Sequence, residues 1–487
     1  MLVTLLLLTA LSLTLSLLFT PIVRMVAIRC KLVDLPDNKR KVHKKPIPRV
    51  GGVALAAAYF GSLLATAAFV AYKLPAANTG FAVVWSIAPA ALAVFLVGLA
   101  DDIFDLKPWH KFGLQVVAAG MVVSAGIRFH AVGSFSVHPV LEIAGTIVWL
   151  VACTNAVNLI DGLDGLAAGL SLLATVTVLV ASLLSGNIGL AIATAPLAAA
   201  LLGFLVFNFN PASIFLGDSG SLLLGFLLGC YGILWSRTCA TNLDMAAPLM
   251  ALAVPLLDTT LSIARRYLRR QPIFKADRSH IHHRLLARGL SHRQTVLVLY
   301  VAGGIAGLLA LCLLQARANW EGVVLAAFAY AVLYGIWQLS YAEFGALRRV
   351  LVGGGLRREI AVHLAVWTLE EGLETAETAD DCWAAIQGAC REVELDPVRM
   401  QLAGRLFRCD RDRAAARSWA MRIPISEGEW IELAHNSEPI GYPMAIVLFA
   451  AAMRRVLTDK SILGANVEEK TAVFSASLYK TAASIAN

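Results

Sequence analysis

Residues 188–236 read IGLAIATAPLAAALLGFLVFNFNPASIFLGDSGSLLLGFLLGCYGILWS, and this stretch decides the class of fold. Two apolar runs, which begin near residues 188 and 219, flank the polar segment NPASIFLGDSGS. A helix needs about 20 apolar residues to cross the hydrocarbon core of a bilayer, and each run has that length. The stretch therefore predicts two membrane-spanning helices joined by a polar loop.

The same pattern recurs along most of the chain. The protein is 58% hydrophobic and only 15% charged, with a mean hydropathy of +0.70, whereas soluble domains carry about 25% charged residues. Runs of spanning length begin near residues 2, 50, 80, 112, 140, 164, 188, 219, 246, 295 and 319. We therefore predict an all-α polytopic membrane protein with about eleven transmembrane helices. No basic stripe with interleaved aromatic residues accompanies the net charge of +8, which argues against nucleic-acid binding.

Basic residues are concentrated in the loops on one side of the predicted membrane. Residues 29–49 contain eight Lys or Arg, and residues 265–294 contain nine. Loops of the opposite side contain isolated basic residues, such as Lys73 and Arg128. Because Lys and Arg collect in cytoplasmic loops, we expect the basic loops and the C-terminus in the cytoplasm and the N-terminus outside.

Beyond residue 342 the composition becomes that of a water-soluble domain. We divide the chain into three parts: a transmembrane domain at 1–342, a small cytosolic α+β domain of unknown role at 343–458, and a flexible tail at 459–487. Two strands are predicted, at 417–423, where apolar side chains alternate, and at 429–434. An amphipathic helix is predicted at 443–457.

Five polar clusters fall in the five loops assigned to the cytoplasmic side. The first, at residues 34–52, reads DLPDNKRKVHKKPIPRVGG and is interpreted as a phosphate-facing loop, with a basic membrane anchor as the alternative. The second contains Asp101, Asp102 and Asp105. Carboxylates at a membrane boundary are costly unless they are paired or coordinate a cation, and neighbouring carboxylates suit Mg²⁺ or a general base. Lys111 follows and is suited to bind a phosphate group.

The third and fourth clusters add amide and carboxylate groups. The third reads NAVNLIDGLDG at residues 155–165. Asn158, Asp161 and Asp164 lie there beside glycines that allow a tight turn with exposed backbone N–H groups. In the fourth, Asp218 is expected at a helix N-terminus, where it could bind a metal ion that bridges to phosphate. A turn with side-chain caps and a simple helix cap are the respective alternatives.

The fifth cluster is rich in histidine. Its candidate site residues are Arg278, His280, His282 and His283. We interpret it as a binding element for phosphate and sugar groups, because no Cys or further His in the loop completes a tetrahedral zinc site. A basic loop with incidental histidines is the alternative. Asp258, within the ninth predicted span, is either functional or a hydrogen-bonded structural carboxylate.

In this order, the motifs DLPDNKRKVH with PRVGG, DDIFD, NAVNLIDGLDG, NPASIFLGDSGS and DRSHIHH resemble those of the polyprenyl-phosphate N-acetylhexosamine-1-phosphate transferase superfamily, glycosyltransferase family 4. The resemblance covers about residues 1–340, and the HIHH run is similar to that of the undecaprenyl-phosphate GlcNAc-1-phosphate transferase branch. Implied roles are catalysis for Asp101, Asp102 and Asp105, and metal binding for Asn158 and Asp218. Substrate binding is implied for the remaining site residues: Lys111, Asp161, Asp164, Arg278, His280, His282 and His283.

The resemblance implies an enzyme that transfers GlcNAc-1-phosphate from UDP-GlcNAc to undecaprenyl phosphate in the bacterial inner membrane, releasing UMP. The reaction would start the assembly of a cell-envelope glycan, such as that of lipopolysaccharide O-antigen. Mg²⁺ is the expected cofactor, with Mn²⁺ as an alternative. The expected partners are both substrates and the lipid bilayer, without nucleic acid, and a homodimer is compatible with the sequence.

Two alternatives to this activity remain open at the level of sequence. One is the same reaction with another UDP-sugar donor, of the GalNAc or MurNAc-pentapeptide type. The other is a membrane transporter of anionic metabolites. Transporters typically bind substrate near the bilayer midplane between repeated halves, whereas here the charged residues crowd the loops and no internal repeat is visible. The resemblance says nothing about the role of residues 343–487.

Overall fold

The chain forms two compact units, Met1–Tyr341 and Ala342–Asn487. The computed structural model describes residues 2–34, 46–73, 81–129, 131–132, 135–136, 138–237, 245–268, 280–315, 318–339, 355–392, 396–402, 404–408, 419–426, 428–435 and 451–457. The predicted site residue Arg278 and the predicted tail at 459–487 lie outside these residues.

The first unit is a bundle of helices. Within its described residues, nine helices are long and apolar enough to cross a membrane. In chain order the helices are α1 (Leu2–Arg29), α2 (Gly51–Lys73), α3 (Ala82–Phe104), α4 (Pro108–Ser124), α5 (Pro139–Ile160), α6 (Leu166–Leu184), α7 (Ile188–Asn208), α8 (Gly217–Ser236), α9 (Ala246–Ala251), α10 (Ala253–Leu268), α11 (Ile281–Ala287), α12 (His292–Gln315) and α13 (Ala318–Gln338). The predicted all-α membrane domain is confirmed, and the count of eleven spans stays a prediction.

Two of the predicted spans differ from the other nine. The span predicted from residue 112 is α4, which has 17 residues. The span predicted from residue 246 is divided into α9 and α10 at Leu252. Pro255 accounts for this division, because it has no N–H to donate to the carbonyl group four residues earlier and its ring crowds that carbonyl.

Helix α8 lies at the centre of the bundle, where 94% of the residues in its apolar segment are buried inside the protein. It packs against α2, α3, α5 and α6. Glycines permit the close approach: a Cβ on Gly225 would lie 2.5 Å from the Cys153 carbonyl oxygen of α5, and one on Gly98 of α3 would collide with the Asp218 carbonyl group. Small residues at such contacts are typical of membrane helices, whose association depends on van der Waals packing.

The first unit also contains two short antiparallel hairpins. Strand β1 (Val33–Asp34) pairs with β2 (Ile47–Pro48), and β3 (Ala131–Val132) pairs with β4 (Phe135–Ser136). The first hairpin places the two described ends of the first polar cluster side by side. Residues 35–45 of that cluster lie outside the described residues.

The second unit is an α+β domain, as predicted. Its described elements are α14 (Gly355–Thr375), α15 (Ala379–Glu392), β5 (Asp396–Leu402), β6 (Arg405–Arg408), β7 (Trp419–Ser426), β8 (Glu429–His435) and the helical residues 451–457. The strands form an antiparallel sheet in the order β6-β5-β8-β7. Buried side chains from the helices, such as Leu369, Ile386 and Met453, pack with Met400 and Ile431 of the sheet.

The predicted strands at 417–423 and 429–434 correspond to β7 and β8, which pair with each other. Strands β5 and β6 have no predicted counterpart. β5 reads DPVRMQL, and its opening Asp-Pro and polar residues weaken the alternation that indicates a strand. Most of the predicted helix at 443–457 lies outside the described residues, and its end at 451–457 is helical.

Adding one methyl group at Gly225 tests the packing of α8 against α5. We expect Gly225→Ala to lose about 1–3 kcal/mol of stability, because the new Cβ would lie 2.5 Å from a backbone oxygen. Gly120→Ala in α4 is the matched control, since no described heavy atom of a neighbouring element lies within 4 Å of its Cβ position. Thermal unfolding in detergent measures the difference, and equal melting temperatures for both variants would contradict this packing.

Candidate active site

One cavity is lined by residues from all five polar clusters. It has a volume of about 900 Å³. One lining residue from each cluster, in chain order, is Arg49, Asp101, Asp161, Asp218 and His283. Because the five loops meet at this cavity, they lie at the same end of the helical bundle, as their predicted shared side requires.

Asp102 fixes the N-terminus of α8. Its Oδ1 accepts a hydrogen bond from the Asp218 backbone N–H at 2.8 Å, and its Oδ2 accepts one from the Ser219 N–H at 3.0 Å. The first N–H groups of a helix have no partner within the helix, and a carboxylate satisfies them while interacting favourably with the helix dipole. Asp102 is buried in α3. It therefore acts as a cap between helices that sets the position of Asp218.

Gly217 makes this arrangement sterically feasible. Its φ is +74°, a region that favours glycine. A Cβ at Gly217 would collide with the Arg49 carbonyl oxygen and would lie 2.8 Å from Asp102 Oδ2. Gly217 is thus required for the close approach of three segments: the loop of Arg49, the end of α3 with Asp102, and the start of α8.

Lys111 forms ion pairs with two further carboxylates of the site, those of Asp101 and Asp218. Its Nζ lies 2.8 Å from Asp101 Oδ2 and 3.0 Å from Asp218 Oδ2. The Asp101 Oδ1 accepts a hydrogen bond from the Leu106 N–H at 2.7 Å. Both carboxylates line the cavity. The ammonium group therefore offsets part of the negative charge where an anionic substrate would bind.

Asp161 and Asp164 lie in the turn after α5 and have different surroundings. Asp164 Oδ2 accepts hydrogen bonds from Asn210 Nδ2 at 2.9 Å and the Ala212 N–H at 3.0 Å, so it anchors the loop that leads to α8. Asp161 lies at the cavity. Desolvation and the charges of three neighbouring carboxylates raise the pKa of Asp161 from 3.8 to about 8. A cation in the cavity would favour the ionised form of this carboxyl group.

Arg49 and Asp105 form an ion pair at the edge of the site. The Arg49 Nη2 lies 3.3 Å from Asp105 Oδ1. Arg49 lines the cavity, whereas Asp105 is not among the described residues that do so, and its side chain is 86% exposed. Asp101 therefore lies at the cavity, whereas Asp105 lies at its edge in contact with solvent.

Asp258 organises the histidine cluster. Its Oδ1 accepts the Ile281 N–H at 2.7 Å, and its Oδ2 lies 2.9 Å from His280 Nδ1. These contacts cap α11 and orient the His280 ring. Of the two roles open from the sequence, the structure supports the hydrogen-bonded carboxylate, which acts on the site by positioning its neighbours.

The three histidines occupy different environments. His283 lines the cavity, and His280 is held by Asp258. His282 is buried below the third cluster, where a Cβ on Gly162 would lie 2.5 Å from its Nε2. Desolvation, followed by the proximity of His283, lowers the pKa of His282 to about 4. His282 is therefore neutral near pH 7 and is suited to packing and hydrogen bonding rather than to pairing with a phosphate charge.

Asn158 and Asp218 are the predicted metal ligands. Asp218 lines the cavity, whereas Asn158 is not among its described lining residues and donates its Nδ2–H to Ser221 Oγ at 2.9 Å. Within the described part of the chain, no three His, Cys, Asp or Glu side chains form a ready-made metal site. Mg²⁺ typically takes one or two protein carboxylates and completes its shell with water and substrate phosphate oxygens. Asp161 and Asp218, whose side chains line the cavity, could supply one or two such ligands.

Tyr300 belongs to the surroundings of the site and was not predicted. Its hydroxyl group donates to the Gly165 carbonyl oxygen at 2.5 Å, and a Cβ on Gly169 would collide with its ring. The contact fixes the end of the turn that carries Asp161 and Asp164. Tyr300 lies within an apolar span, and only two glycines, Gly165 just before α6 and Gly169 in its first turn, hint that a bulky group packs there.

Comparisons with known proteins agree with the geometry. Residues 84–236 match the family model described as Glycosyl transferase family 4, a range that includes the second, third and fourth polar clusters. The chain is 39% identical over 310 residues to the probable undecaprenyl-phosphate N-acetylglucosaminyl 1-phosphate transferase of Bacillus subtilis, covering 63% of this chain and 84% of that protein. It is 38% identical over 314 residues to the decaprenyl-phosphate N-acetylglucosaminephosphotransferase of Mycolicibacterium smegmatis, with coverages of 58% and 75%. It is 30% identical over 334 residues to the undecaprenyl-phosphate alpha-N-acetylglucosaminyl 1-phosphate transferase of Yersinia pestis, with coverages of 66% and 87%.

Asparagine substitutions distinguish the roles of Asp101 and Asp102. In Asp102→Asn, the amide NH₂ group would face a backbone N–H at the start of α8, and neither group could accept a hydrogen bond from the other. We therefore expect this variant to lose about 1–3 kcal/mol of stability. In Asp101→Asn, the loss of the Lys111 pair is offset by reduced repulsion from Asp218, and the oxygen of the new amide can still accept the Leu106 N–H, so we expect a smaller loss of stability than for Asp102→Asn. Thermal unfolding of both variants is the measurement. A more stable Asp102→Asn than Asp101→Asn would contradict the capping role.

The raised pKa of Asp161 predicts a pH-dependent difference in stability. Between its ordinary pKa of 3.8 and the folded value of about 8, the folded protein holds a proton that the unfolded chain releases. The contribution of Asp161 to stability is therefore fully present at low pH and is lost as pH rises towards about 8. We expect Asp161→Asn to gain melting temperature relative to the parent across this interval, in chelator. A constant difference between the two proteins would contradict the shift.

Proposed function

The chain belongs to glycosyl transferase family 4, and we propose that it catalyses the reaction for which its relatives are named, the transfer of N-acetylglucosamine-1-phosphate to a polyprenyl phosphate. One observation carries the proposal: Asp101, Lys111 and Asp218 meet beside the N-terminus of α8, at a cavity lined from the ends of membrane-spanning helices. A lipid phosphate can reach such a position while its polyprenyl chain stays in the bilayer.

The donor in this proposal is UDP-N-acetylglucosamine, and the acceptor is undecaprenyl phosphate. The cavity of about 900 Å³ is at the upper end of the range for ligand pockets. This volume supports the binding of a nucleotide sugar together with a lipid phosphate. A donor of the GalNAc or MurNAc-pentapeptide type would use the same phosphate chemistry, and it is therefore included in the test below.

The reaction is a substitution at phosphorus. An oxygen of the lipid phosphate attacks the phosphorus next to the sugar, and the bond from that phosphorus to the bridging oxygen breaks. UMP leaves with the electron pair, and a lipid-linked diphosphate sugar forms. We favour direct in-line transfer over an aspartyl-phosphate intermediate, because Lys111 engages Asp101 and backbone N–H groups engage both oxygens of Asp102.

Charge neutralisation is the main task of the protein in this reaction, since two anions must approach each other. Lys111 is not among the described residues that line the cavity, and it contributes by offsetting the charges of Asp101 and Asp218, with which it is paired. Arg49 and His283 line the same cavity and extend its polar surface. Asp101 can accept the proton of a monoanionic lipid phosphate, a minor role near pH 7 because the second phosphate pKa is about 6. Mg²⁺ bound by Asp218, with Asn158 or Asp161, would offset the charge that develops on the diphosphate.

The basic loops support an active site on the cytoplasmic side. The first and fifth polar clusters belong to the loops at residues 29–49 and 265–294. These two loops contain most of the basic residues of the first unit. The cytoplasm also supplies nucleotide sugars, so the proposed orientation and the proposed donor are consistent with each other. A homodimer stays a prediction.

Reconstituted turnover tests the proposed function. The full chain is reconstituted in nanodiscs and supplied with undecaprenyl phosphate and Mg²⁺. UDP-GlcNAc, UDP-GalNAc and UDP-MurNAc-pentapeptide are each added in a separate reaction, and UMP release is measured. We expect lipid-dependent UMP release with UDP-GlcNAc, which chelator abolishes. Asp218→Asn should lower turnover by about 10²–10³-fold, the cost of removing one preorganised electrostatic group.

Asp105→Asn is the matched control for Asp218→Asn. Asp105 has a φ of +48°, which asparagine also tolerates, and its side chain is largely exposed. We expect this variant to keep turnover within about threefold of the parent, consistent with a surface ion pair. Absence of lipid-dependent UMP release with every donor would overturn the proposed reaction. Normal turnover of Asp218→Asn would remove Asp218 from the site.

A further inference from the structure

The sheet of the second unit has two different faces. The inner face packs against α14, α15 and residues 451–457 through Met400, Ile423 and Ile431. Side chains alternate along each strand, so the neighbours of these residues in the sequence lie on the outer face. The strand register arranges them in two rows across β6, β5, β8 and β7: Arg408, Arg399, Glu432 and Arg422, then Leu406, Gln401, Trp430 and Pro424.

The outer face is basic and contains ordered aromatic and polar groups. Arg422 lies 3.9 Å above the centre of the Trp430 ring, and its Nη2 lies 3.4 Å from Glu432 Oε2. Trp430 donates its Nε1–H to Gln401 at 3.0 Å. The Arg399 Nε is buried and has no hydrogen-bond partner among the described residues. Three arginines and one glutamate in a single row leave a net positive charge on this face.

The charge of the second unit is polarised. Its helices contain acidic side chains opposite the basic sheet face: Glu370, Glu371, Glu374, Asp380 and Asp381. Arg405 and Arg455, which lie on the helix side, are each paired with one of these acids. Arg405 and Arg455 are thus compensated on the inner side, whereas among the described residues of the outer row the one acidic side chain is that of Glu432.

We propose that the outer sheet face, defined by Arg399, Arg408, Arg422 and Leu406, docks on an anionic phospholipid surface. Arginines near such a surface each contribute to binding by attraction to lipid phosphates. Leu406 is 64% exposed beside them and can enter the interfacial region. The chain joins this unit to α13 through residues 340–354, which reach at most about 50 Å when extended. The membrane is therefore the anionic surface that the domain meets at the highest effective concentration.

Two other partners fit the face less well. Single-stranded nucleic acid needs exposed aromatic platforms for successive bases, and the aromatic ring of this face, Trp430, is covered by Arg422. A second copy could place its acidic helices on the basic face. That contact would be heterologous, so it would generate a ring or an open-ended assembly rather than an isologous dimer.

Arginine footprinting on the full chain tests the proposal. The protein is placed in nanodiscs of phosphatidylcholine alone or of equal parts phosphatidylcholine and phosphatidylglycerol. Phenylglyoxal modification of each arginine is then followed by mass spectrometry. We expect modification of Arg408 and Arg422 to slow by about fivefold or more in anionic discs, the effect of about one favourable contact per arginine. The protection should disappear at high ionic strength. Arg405, on β6 but facing the helices, is the internal reference and should not change.

A matched pair of variants separates docking from a general change in charge. Arg408→Gln should reduce the protection of Arg422 in anionic discs, whereas Arg405→Gln, which removes the same charge from the opposite face of the same strand, should leave it intact. Equal modification rates in both kinds of disc would overturn the proposal. Protection that is independent of lipid but rises with protein concentration in detergent would also overturn it, in favour of a second copy. UMP release is measured in parallel, so that a failure of docking and a failure of the transferase reaction can be distinguished.

Discussion

The carboxylate of Asp102 bonded to the first N–H groups of α8 is the interaction on which the site depends. At the boundary of a membrane, a helix terminus and a buried carboxylate are each costly alone, and together they satisfy each other. The two hydrogen bonds, 2.8 and 3.0 Å long, fix Asp218 relative to α3. Asp101, on the same helix, then shares Lys111 with Asp218. The other clusters reach this centre through loops that pack against it.

The helix packing and the site are linked by glycine. Gly52 of α2 and Gly98 of α3 lie against the backbone at the start of α8, with no room for a Cβ. Because these helices approach so closely, their terminal loops are also close, and side chains far apart in sequence reach one cavity. This convergence concentrates negative charge, which Lys111 offsets in part. Burial, together with the charges of the neighbouring carboxylates, raises the pKa of Asp161. In the proposed function, a cation bound among these acidic residues would offset their charge beside the phosphate groups of the substrates.

The sequence predicted the nine helices of spanning length in the described residues, the α+β domain and the five converging clusters, because apolar length and motif order are local properties of the chain. It did not separate the roles of Asp101 and Asp102. The two residues are adjacent and chemically identical, and they differ only in their tertiary contacts. The pairing of Asp258 with His280 joins residues 22 positions apart and depends on how α10 and α11 meet. The break at Leu252 was in principle readable from Pro255, whereas Tyr300 and strand β5 acquire their roles only from tertiary contacts.

In the proposed function, the carboxylate of Asp218 at the start of α8 would hold the diphosphate of the donor together with a divalent cation. Electron spin-echo spectroscopy of the parent protein with Mn²⁺, before and after addition of UDP-GlcNAc, measures this directly. We expect a protein-bound Mn²⁺ signal that acquires ³¹P hyperfine coupling when the donor is added. A spectrum that stays that of aqueous Mn²⁺, under conditions that support turnover, would contradict it.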